Sequence, residues 1–257
     1  MDNTKLLTEI KRYEKGKSDY ITDVVVRERS FVIGINSRRL VQLAYLPEYK
    51  RELAWGFLFS EGIILEKSEI IGAELGNDFI NLTVQIPDAR LQNFHQSGEK
   101  TSGCGSALSA QLENKTAQFI PLRLNADSIL STMTTFHKQA KLFLQTGGVH
   151  SAALVKERGI IYYAEDIGRH NAVDKVAGMA LLEDCPLSEM MLFTSGRISS
   201  EIAKKAIRLK IPLIVSGSAP TSEAIRLGWR YGLYLIGFAR GKRFSIYTGF
   251  DDIKLEL

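Results

Sequence analysis

The strongest constraint on the fold is a repeated alternation of strand-like and helical segments from Asn125 onward. Runs rich in β-branched and aromatic residues, which predict strands, occupy 150–156, 160–166, 190–195, 211–216, 233–239 and 244–249. Apolar residues at helical spacing lie before and between these runs, at 125–145, 169–183, 199–210 and 222–232. Asn125 suits a helix N-cap and Gly147 a helix stop. The alternation predicts an α/β layered domain over 125–257 with a mixed, largely parallel sheet.

The chain before this region predicts a smaller, β-rich N-terminal lobe at 21–86. Alternating apolar and polar residues over 23–46 favour two or three antiparallel strands. Pro47 then opens a helical stretch, and 69–86 indicates a hairpin that turns at Gly76-Asn77-Asp78.

Two further segments lack such patterns. Residues 1–20 are polar, and we expect a flexible, frayed N-terminus. Residues 87–124 hold Cys104 without regular periodicity, and a loop of this length is usually functional or disordered. We expect a mobile loop that presents Cys104, because Gly103 and Gly105 give the backbone wide freedom beside the thiol.

Composition bounds the partners and the compartment. The net charge of +4 suits an anionic ligand but is too weak to indicate nucleic acid, which we do not expect as a partner. The two cysteines, Cys104 and Cys185, cannot build a disulfide framework and favour a reducing compartment. The N-terminus is too charged for a secretory signal, and the most apolar run, 53–65, is too short to span a bilayer. We therefore expect a cytoplasmic protein without a membrane partner.

Several chemistries lack their motifs. The phosphate-binding P-loop, the dinucleotide fingerprint and the G-x-S-x-G elbow are all absent. The zinc deaminase pattern is absent too. Four dispersed histidines, of which His95 and His137 are predicted at the surface, argue with the two cysteines against a metal site. We expect no zinc.

Polar chemistry is concentrated in the loops at the predicted strand ends. Ligands of open α/β sheets bind beyond the carboxyl ends of strands, where small residues and helix N-termini favour phosphate, and arginine there can contact phosphate bidentately. The loops TGGVH, EDIGRHNAVDK, TSGRISSE and SGSAPTSE supply the candidate binding residues Gly148, His150, Asp166, Gly168, Arg169, His170, Asn171, Ser195, Gly196, Arg197, Ser218 and Thr221. As a set, these residues predict a site for a nucleotide-like ligand.

Each candidate also has an ordinary structural interpretation. Serine and glycine before helices act as caps and turn residues. Asp166 and Asp174 could pair with Arg169 and Lys175, and a lone histidine such as His170 could cap its helix or bond a neighbouring carbonyl. The basic turn FARGKR, residues 238–243, is either a solvated hairpin tip or a second anion contact whose aromatic residue suits stacking.

The motifs DIGRHNAVDK, SGRISSE, SGSAPTSEA and IGFARGKRFSIYTG resemble those of the formate dehydrogenase accessory sulfurtransferases, the FdhD-like proteins. ELAWGFLFSEGII and TGGVHSAAL are similar as well, and the resemblance runs from about Asp23 to Gly249. It implies a fold like that of cytidine deaminase without its zinc, and a homodimer. The family's cofactor contact maps onto Phe238, Ala239, Arg240, Gly241, Lys242 and Arg243.

The resemblance also implies a function. Family members take persulfide sulfur from a cysteine desulfurase and deliver it to the molybdenum or tungsten bis-guanine-dinucleotide pterin cofactor that formate dehydrogenase needs. A GDP- or GMP-like nucleotide would mimic that client. The family pattern C-G-x-C-G places the persulfide on its first cysteine, which matches Cys104, while Ala107 replaces the second cysteine.

Two alternatives stay open. The loss of the second cysteine leaves room for a non-catalytic carrier that binds the guanine-dinucleotide cofactor and hands it to the dehydrogenase. A nucleotide-processing enzyme is a remote third option, disfavoured by the missing metal ligands. Cys185, before Pro186, is interpreted as a helix-end or packing residue without a role in transfer.

Overall fold

The computed structural model describes residues 3–88, 90, 112, 119, 120, 122–157 and 159–256. Its strands are β1 (Lys5–Glu14), β2 (Lys17–Val26), β3 (Arg29–Ile35), β4 (Arg38–Tyr45), β5 (Ile70–Leu75), β6 (Phe79–Val84), β7 (Leu122–Asn125), β8 (His150–Lys156), β9 (Gly159–Asp166), β10 (Met191–Thr194), β11 (Leu213–Ser216), β12 (Tyr234–Arg240), β13 (Arg243–Thr248) and β14 (Ile253–Glu256). The α-helices described in full are α1 (Lys50–Ser60), α2 (Ala126–Gln139), α3 (Lys141–Thr146), α4 (Arg169–Leu182), α5 (Ser200–Arg208) and α6 (Ser222–Tyr231). Within these ranges, no helix combines the length and the apolarity that crossing a membrane requires.

The N-terminus is an antiparallel hairpin of β1 and β2 that turns at Lys15-Gly16, where both residues have positive φ. The prediction of a frayed segment over 1–20 is wrong for this stretch. A two-stranded ribbon satisfies its backbone through cross-strand hydrogen bonds and leaves charged side chains in solvent, so a polar sequence is no obstacle to it.

The N-terminal lobe has the predicted elements. β3 and β4 pair antiparallel, and β5 and β6 form the predicted hairpin. β3 also pairs parallel with β6, which gives the order β4-β3-β6-β5. Leu53, Ala54 and Leu58 of α1 are fully buried in one cluster with Phe31 and Ile33 of β3.

Two glycines join this lobe to the larger domain. A Cβ on Gly56 of α1 would overlap the carbonyl oxygen of Asp174 in α4, and a Cβ on Gly178 would overlap that of Glu52. Only glycine lets two helix backbones approach this closely, so α1 and α4 are held in direct contact.

The main sheet has the order β13-β12-β11-β10-β8-β9. The prediction of a largely parallel sheet is wrong, because only β10, β11 and β12 run parallel to one another. β8 is antiparallel to both β10 and β9, and β13 is antiparallel to β12. The physical reason is the length of the connections: only two residues separate β8 from β9 and β12 from β13, whereas a parallel crossover needs a dozen residues or more.

Helices cover both faces of this sheet. One face packs α4, α5 and α6 in a cluster that includes Leu154, Leu192 and Leu235. The other face packs α2, whose Phe136 is fully buried in a cluster with Phe193 of β10. The sheet is therefore the middle layer, and the loops at the ends of its strands are the positions left open to a ligand.

The predicted helix over 125–145 is interrupted. Asn125 caps its start as predicted, since its side-chain oxygen accepts a hydrogen bond from Ser128 N at 2.7 Å. Ala140, with ψ 58°, separates α2 from α3, and Gly147 ends α3 with φ 65°. The Glu165 carboxylate accepts hydrogen bonds from Leu142 N and Phe143 N, the second and third amides of α3, at 3.1 and 3.0 Å, and this contact stabilises the new helix start.

The segment 87–124 is only partly within the described residues. Its last residues belong to β7, which pairs parallel with β14, so the expected loop is shorter than predicted. Cys104 and its neighbouring glycines lie outside the described residues, and the expectation of a mobile loop therefore stays a prediction.

Candidate functional site

The predicted loops lie together at one end of the strands of the main sheet. β9, β10, β11 and β12 end there, and β8 begins there because it runs antiparallel to β10. This end consists of residues 147–150, 166–171, 195–199, 217–221 and 238–243, and we call it the loop edge. The antiparallel direction of β8 explains how TGGVH, which precedes its strand, joins loops that follow theirs.

A compact polar group forms where β8, α4 and β10 meet. Ser195 Oγ accepts a hydrogen bond from Ser151 N at 2.9 Å and lies 3.4 Å from His150 Nδ1. A Cβ placed on Gly196 would lie 3.1 Å from Arg169 Cδ and 3.6 Å from His150 Nδ1. Four predicted binding residues, His150, Arg169, Ser195 and Gly196, are therefore neighbours in space.

The electrostatics of this group suit an anion. Burial lowers the pKa of His150, and the positive charge of Arg169 lowers it further, so the imidazole is neutral at pH 7 and offers a hydrogen bond without charge. Arg169 Nε is buried and has no hydrogen-bond partner among the described residues, while Arg197 is exposed. Gly168 caps α4 without a side chain, so the first amides of the helix have no side-chain cap beside Arg169.

The turn between β12 and β13 adds a second basic group. The register between Gly237 and Arg240 is irregular, and Phe238 has φ 52°. The Arg240 guanidinium lies 5.7 Å from the centre of the Phe238 ring. Arg240, Gly241, Lys242 and Arg243 are exposed, whereas Ala239 is fully buried and contributes its side chain to the core.

The loop after β11 links the two groups. Phe238 N donates to the carbonyl oxygen of Ser218, and Thr221 N donates to that of Ile198. Thr221 Oγ1 accepts a hydrogen bond from Ala224 N at 3.3 Å, so this hydroxyl is the N-cap of α6.

Gly148 is exposed and faces Val26 at the base of the N-terminal hairpin.

Two predicted binding residues form their polar contacts inside the protein. Asp166 is fully buried and forms an ion pair with Lys175 at 2.7 Å, and Asn171 Nδ2 donates to Asp166 and to Ala44 O. The prediction that Asp166 and Asn171 contact the ligand is therefore not supported by their geometry. The alternative pairing of Asp166 with Arg169 is also wrong, since the partner is Lys175.

His170 is half-buried in the first turn of α4. Burial lowers the pKa of its imidazole to about 4, and the positive charges of Lys205 and Arg169 act in the same direction. Its Nε2 atom is buried and has no hydrogen-bond partner in the part of the chain that the structure describes. The carboxylates of Glu201 and Glu61 oppose this shift, so the imidazole senses buried charges of both signs.

That cluster was missed by sequence reasoning. Lys205 Nζ lies 2.8 Å from Glu61 Oε1 and 2.9 Å from both carboxylate oxygens of Asp174, and Ser60 Oγ donates to Asp174. All four side chains are at least nine-tenths buried. Asp174 therefore pairs with Lys205 and not with its sequence neighbour Lys175.

His137 is a second residue that sequence reasoning did not associate with the site. It is exposed, as predicted, but its Nε2 lies 3.4 Å from the position of a Cβ on Gly217, within the loop edge. Partial desolvation of the imidazole lowers its pKa. A single histidine near a helix end carries no sequence signal for this placement.

Of the two cysteines, Cys185 lies within the described residues. Cys185 is half-buried, packs against the core and accepts a hydrogen bond from Tyr162 Oη at 3.0 Å, which agrees with a packing role. Cys104 lies outside the described residues. In the part of the chain that the structure describes, no three His, Cys, Asp or Glu side chains are grouped so as to hold a metal ion.

The fold and the loop edge define a mixed α/β protein with a cationic sheet edge suited to a phosphate-bearing ligand. The FdhD/NarQ family model matches residues 26–254. The chain belongs to the FdhD/NarQ family, and the resemblance found in its motifs is confirmed.

Curated relatives match along most of their length. The sulfur carrier protein FdhD of Listeria monocytogenes serotype 4b is 35% identical over 252 residues, covering 95% of this chain and 97% of the relative. The protein of the same name from Wolinella succinogenes is 36% identical over 231 residues, covering 88% of this chain and 81% of the relative. That from Bacillus subtilis is 32% identical over 261 residues, covering 98% of this chain and 99% of the relative.

A solved structure shares the fold. The crystal structure of a protein described as a formate dehydrogenase accessory protein, from Desulfotalea psychrophila, has a TM-score of 0.79 and 25% identity, and the match covers 98% of this chain and all of that one. The mixed α/β fold with several sheets is thus shared within the family. The cytidine-deaminase-like arrangement and the homodimer stay predictions.

Proposed function

We propose that this protein is a sulfur carrier for formate dehydrogenase: Cys104 accepts persulfide sulfur from a cysteine desulfurase and passes it to a guanine-dinucleotide pterin cofactor. The observation that carries the proposal is that five loops rich in small and basic residues lie together at the loop edge. The relatives of this chain are named sulfur carrier proteins, which supports the same function. We place the reaction in the cytoplasm, in a homodimer that meets the catalytic subunit of formate dehydrogenase.

The loop edge would hold the client. The molybdenum or tungsten bis-guanine-dinucleotide cofactor is a large polyanion, and arginine forms strong, paired hydrogen bonds to phosphate. Arg169, Arg197 and Arg240 offer such contacts, and the neutral His150 adds a hydrogen bond. The ring of Phe238, half-buried under Arg240, supplies an aromatic face for a guanine base.

The sulfur chemistry needs one thiol on this chain. The Cys104 thiolate attacks the terminal sulfur of the donor persulfide, a new S–S bond forms at Cys104, and the donor cysteine leaves as a thiolate. Release of this sulfur as sulfide takes up two electrons. Because Ala107 stands where the family has its second cysteine, we assign those electrons to an external thiol, which ends as a disulfide with Cys104.

Leu112 supports a link between the Cys104 segment and the domain. It follows Cys104 by eight positions in the sequence and packs against the core cluster of α4, α5 and α6. The helices that present Arg169 and Thr221 at the loop edge belong to the same layer.

Intact-mass spectrometry tests the proposal. The protein is incubated with a cysteine desulfurase and cysteine, quenched without reductant and weighed. We expect a gain of one sulfur atom that Cys104→Ala abolishes and Cys185→Ala, the matched control, retains. Absence of a gain on the wild-type chain, with GDP binding intact, would instead support the non-catalytic carrier. Absence of both would contradict either function.

A further inference from the structure

A buried polar cluster of Asp166, Asn171 and Lys175 forms the interior side of the turn that carries Arg169. Asp166 accepts four hydrogen bonds: from Leu46 N at 3.1 Å, Lys175 Nζ at 2.7 Å, Gly168 N at 2.9 Å and Asn171 Nδ2 at 2.9 Å. A carboxylate has about four acceptor positions, so Asp166 has no capacity left for a ligand.

The other members of the cluster are also fully used. Lys175 Nζ donates to Asp166, to Leu46 O at 3.0 Å and to Glu165 O at 3.2 Å. These contacts use all three ammonium protons. Asn171 Nδ2 donates to Asp166 and, at 2.8 Å, to Ala44 O. A buried polar network in which every donor is paired is rigid and specifies one arrangement.

The cluster joins two regions that are far apart in the sequence. Ala44 lies at the end of β4 in the N-terminal lobe and Leu46 directly follows this strand, while Gly168 is the N-cap of α4 and precedes Arg169. The hydrogen bond from Gly168 N to Asp166 therefore determines where α4 begins and where the Arg169 side chain leaves the backbone.

The structure assigns Asp166, Asn171 and Lys175 a positioning role: they fasten the turn that presents Arg169 to the N-terminal lobe. The inference rests on the proposed function, because it concerns the affinity of the loop edge for a guanine nucleotide. The N-terminal lobe would then contribute to ligand affinity by holding this turn in place, without contacting the ligand itself.

A merely structural role would affect stability and nothing else, so the test separates folding from binding. Lys175→Met leaves the Asp166 carboxylate buried without its cation, and the midpoint of thermal unfolding should fall by about 10 °C. The double variant Asp166→Asn with Lys175→Met removes both charges and should regain part of that loss, because the amide of asparagine still lacks one of the two acceptor oxygens. In both variants the affinity for GDP should fall about tenfold or more, as when the supporting shell of a site is removed.

Two further variants complete the design. Asn171→Ala keeps the ion pair, so it should fold, and it should still weaken GDP binding because the turn loses its bond to β4. Val176→Ala is the matched control: Val176 is fully buried in the same helix, among the apolar residues of the core. It should lower thermal stability and leave GDP affinity unchanged.

Isothermal titration with GDP on each folded variant gives the answer. If the double variant and Asn171→Ala bind GDP as the wild type does, the cluster serves stability alone and the inference is overturned. If the wild-type chain itself does not bind GDP, the proposed ligand fails first, and the positioning role fails with it. The two failures are distinguished by the wild-type titration.

Discussion

Replacement of Lys205 by methionine tests the account of the buried charges most severely. Lys205 is 3% exposed and neutralises Glu61 and Asp174, which are 4% and 1% exposed. These carboxylates come from different regions: Glu61 follows α1 of the lobe, and Asp174 lies in α4. Methionine retains much of the side-chain volume but no charge, so both carboxylates are left buried without their cation.

The size of the effect follows from burial. Removal of one partner of a buried ion pair costs about 3–5 kcal/mol, because the remaining charge is uncompensated. For a chain of this size each kcal/mol corresponds to about 2–4 °C in the unfolding midpoint. We therefore expect Lys205→Met to unfold about 10 °C below the wild type at pH 8.

The loss should depend on pH with a definite sign. Burial raises the pKa of Asp174 to about 6 even with Lys205 in place, above its unfolded value of about 4. The contribution of such a group to stability is complete below the unfolded pKa and is lost as pH rises through about 6. Without Lys205 the pKa of Asp174 rises further, and Glu61 loses the cation that contributes most to holding its pKa down against burial, while Arg208 continues to lower it.

Protonation of these carboxylates removes the uncompensated charge. The stability difference between Lys205→Met and the wild type should therefore shrink as pH falls from 8 to 5. In the wild type, burial and the charge of Lys205 lower the pKa of His170 to about 4, below this window. Loss of Lys205 raises the pKa of His170 again, and a protonated imidazole would offset the uncompensated carboxylates, which also shrinks the difference at low pH. Thermal unfolding followed by circular dichroism at each pH measures the difference.

Lys156→Met is the matched control. Lys156 pairs with Glu189 at 2.5 Å, but the side chains are 45% and 54% exposed. Exposed ion pairs contribute about 1 kcal/mol or less, so this variant should unfold close to the wild type at every pH. A Lys205→Met deficit that stayed constant, or widened, on acidification would refute the assignment of buried, uncompensated carboxylates.

Three other substitutions follow from the geometry. Arg169→Ala should weaken GDP binding about tenfold or more, since a hydrogen bond to a charged group contributes about 1.5–3 kcal/mol, and isothermal titration should show a smaller salt dependence. Gly196→Ala would place a methyl group 3.1 Å from Arg169 Cδ; GDP affinity should fall with little change in the unfolding midpoint. Gly178→Ala would drive a methyl group into the Glu52 carbonyl oxygen and should destabilise the protein by about 3 kcal/mol, whereas Gly72→Ala, with its nearest neighbour at 3.6 Å, should unfold normally.

Local elements were predictable because their signals are local. The period of apolar residues marks the helices, and the Asn125 cap needs only its own side chain and the following amides. The direction of β8 and β9 was also within reach, since a two-residue connection at Glu157-Arg158 permits only an antiparallel pair. The strand–helix alternation that follows β9 is typical of a parallel sheet, and the sequence prediction rested on that alternation instead.

The buried charges were out of reach for a different reason. Asp166 in the run EDIGRH has the sequence neighbours of a ligand contact, and only the folded chain brings Leu46 N, 120 positions away, within 3.1 Å of it. The partner of Asp174 was equally ambiguous, because Lys175 is adjacent in the sequence but points to Asp166 on the other side of α4. Tertiary pairing decides such roles, and no local pattern records it.

The central claim is that the Cys104 thiol and the loop edge act on the same client. A single-turnover transfer from protein carrying ³⁵S-persulfide to isolated bis-guanine-dinucleotide cofactor, in the presence of a thiol reductant, tests it directly. The account predicts that wild-type protein moves its label to the cofactor, whereas Arg169→Ala, loaded to the same extent, retains most of it. Equal transfer of label by both proteins would contradict the claim.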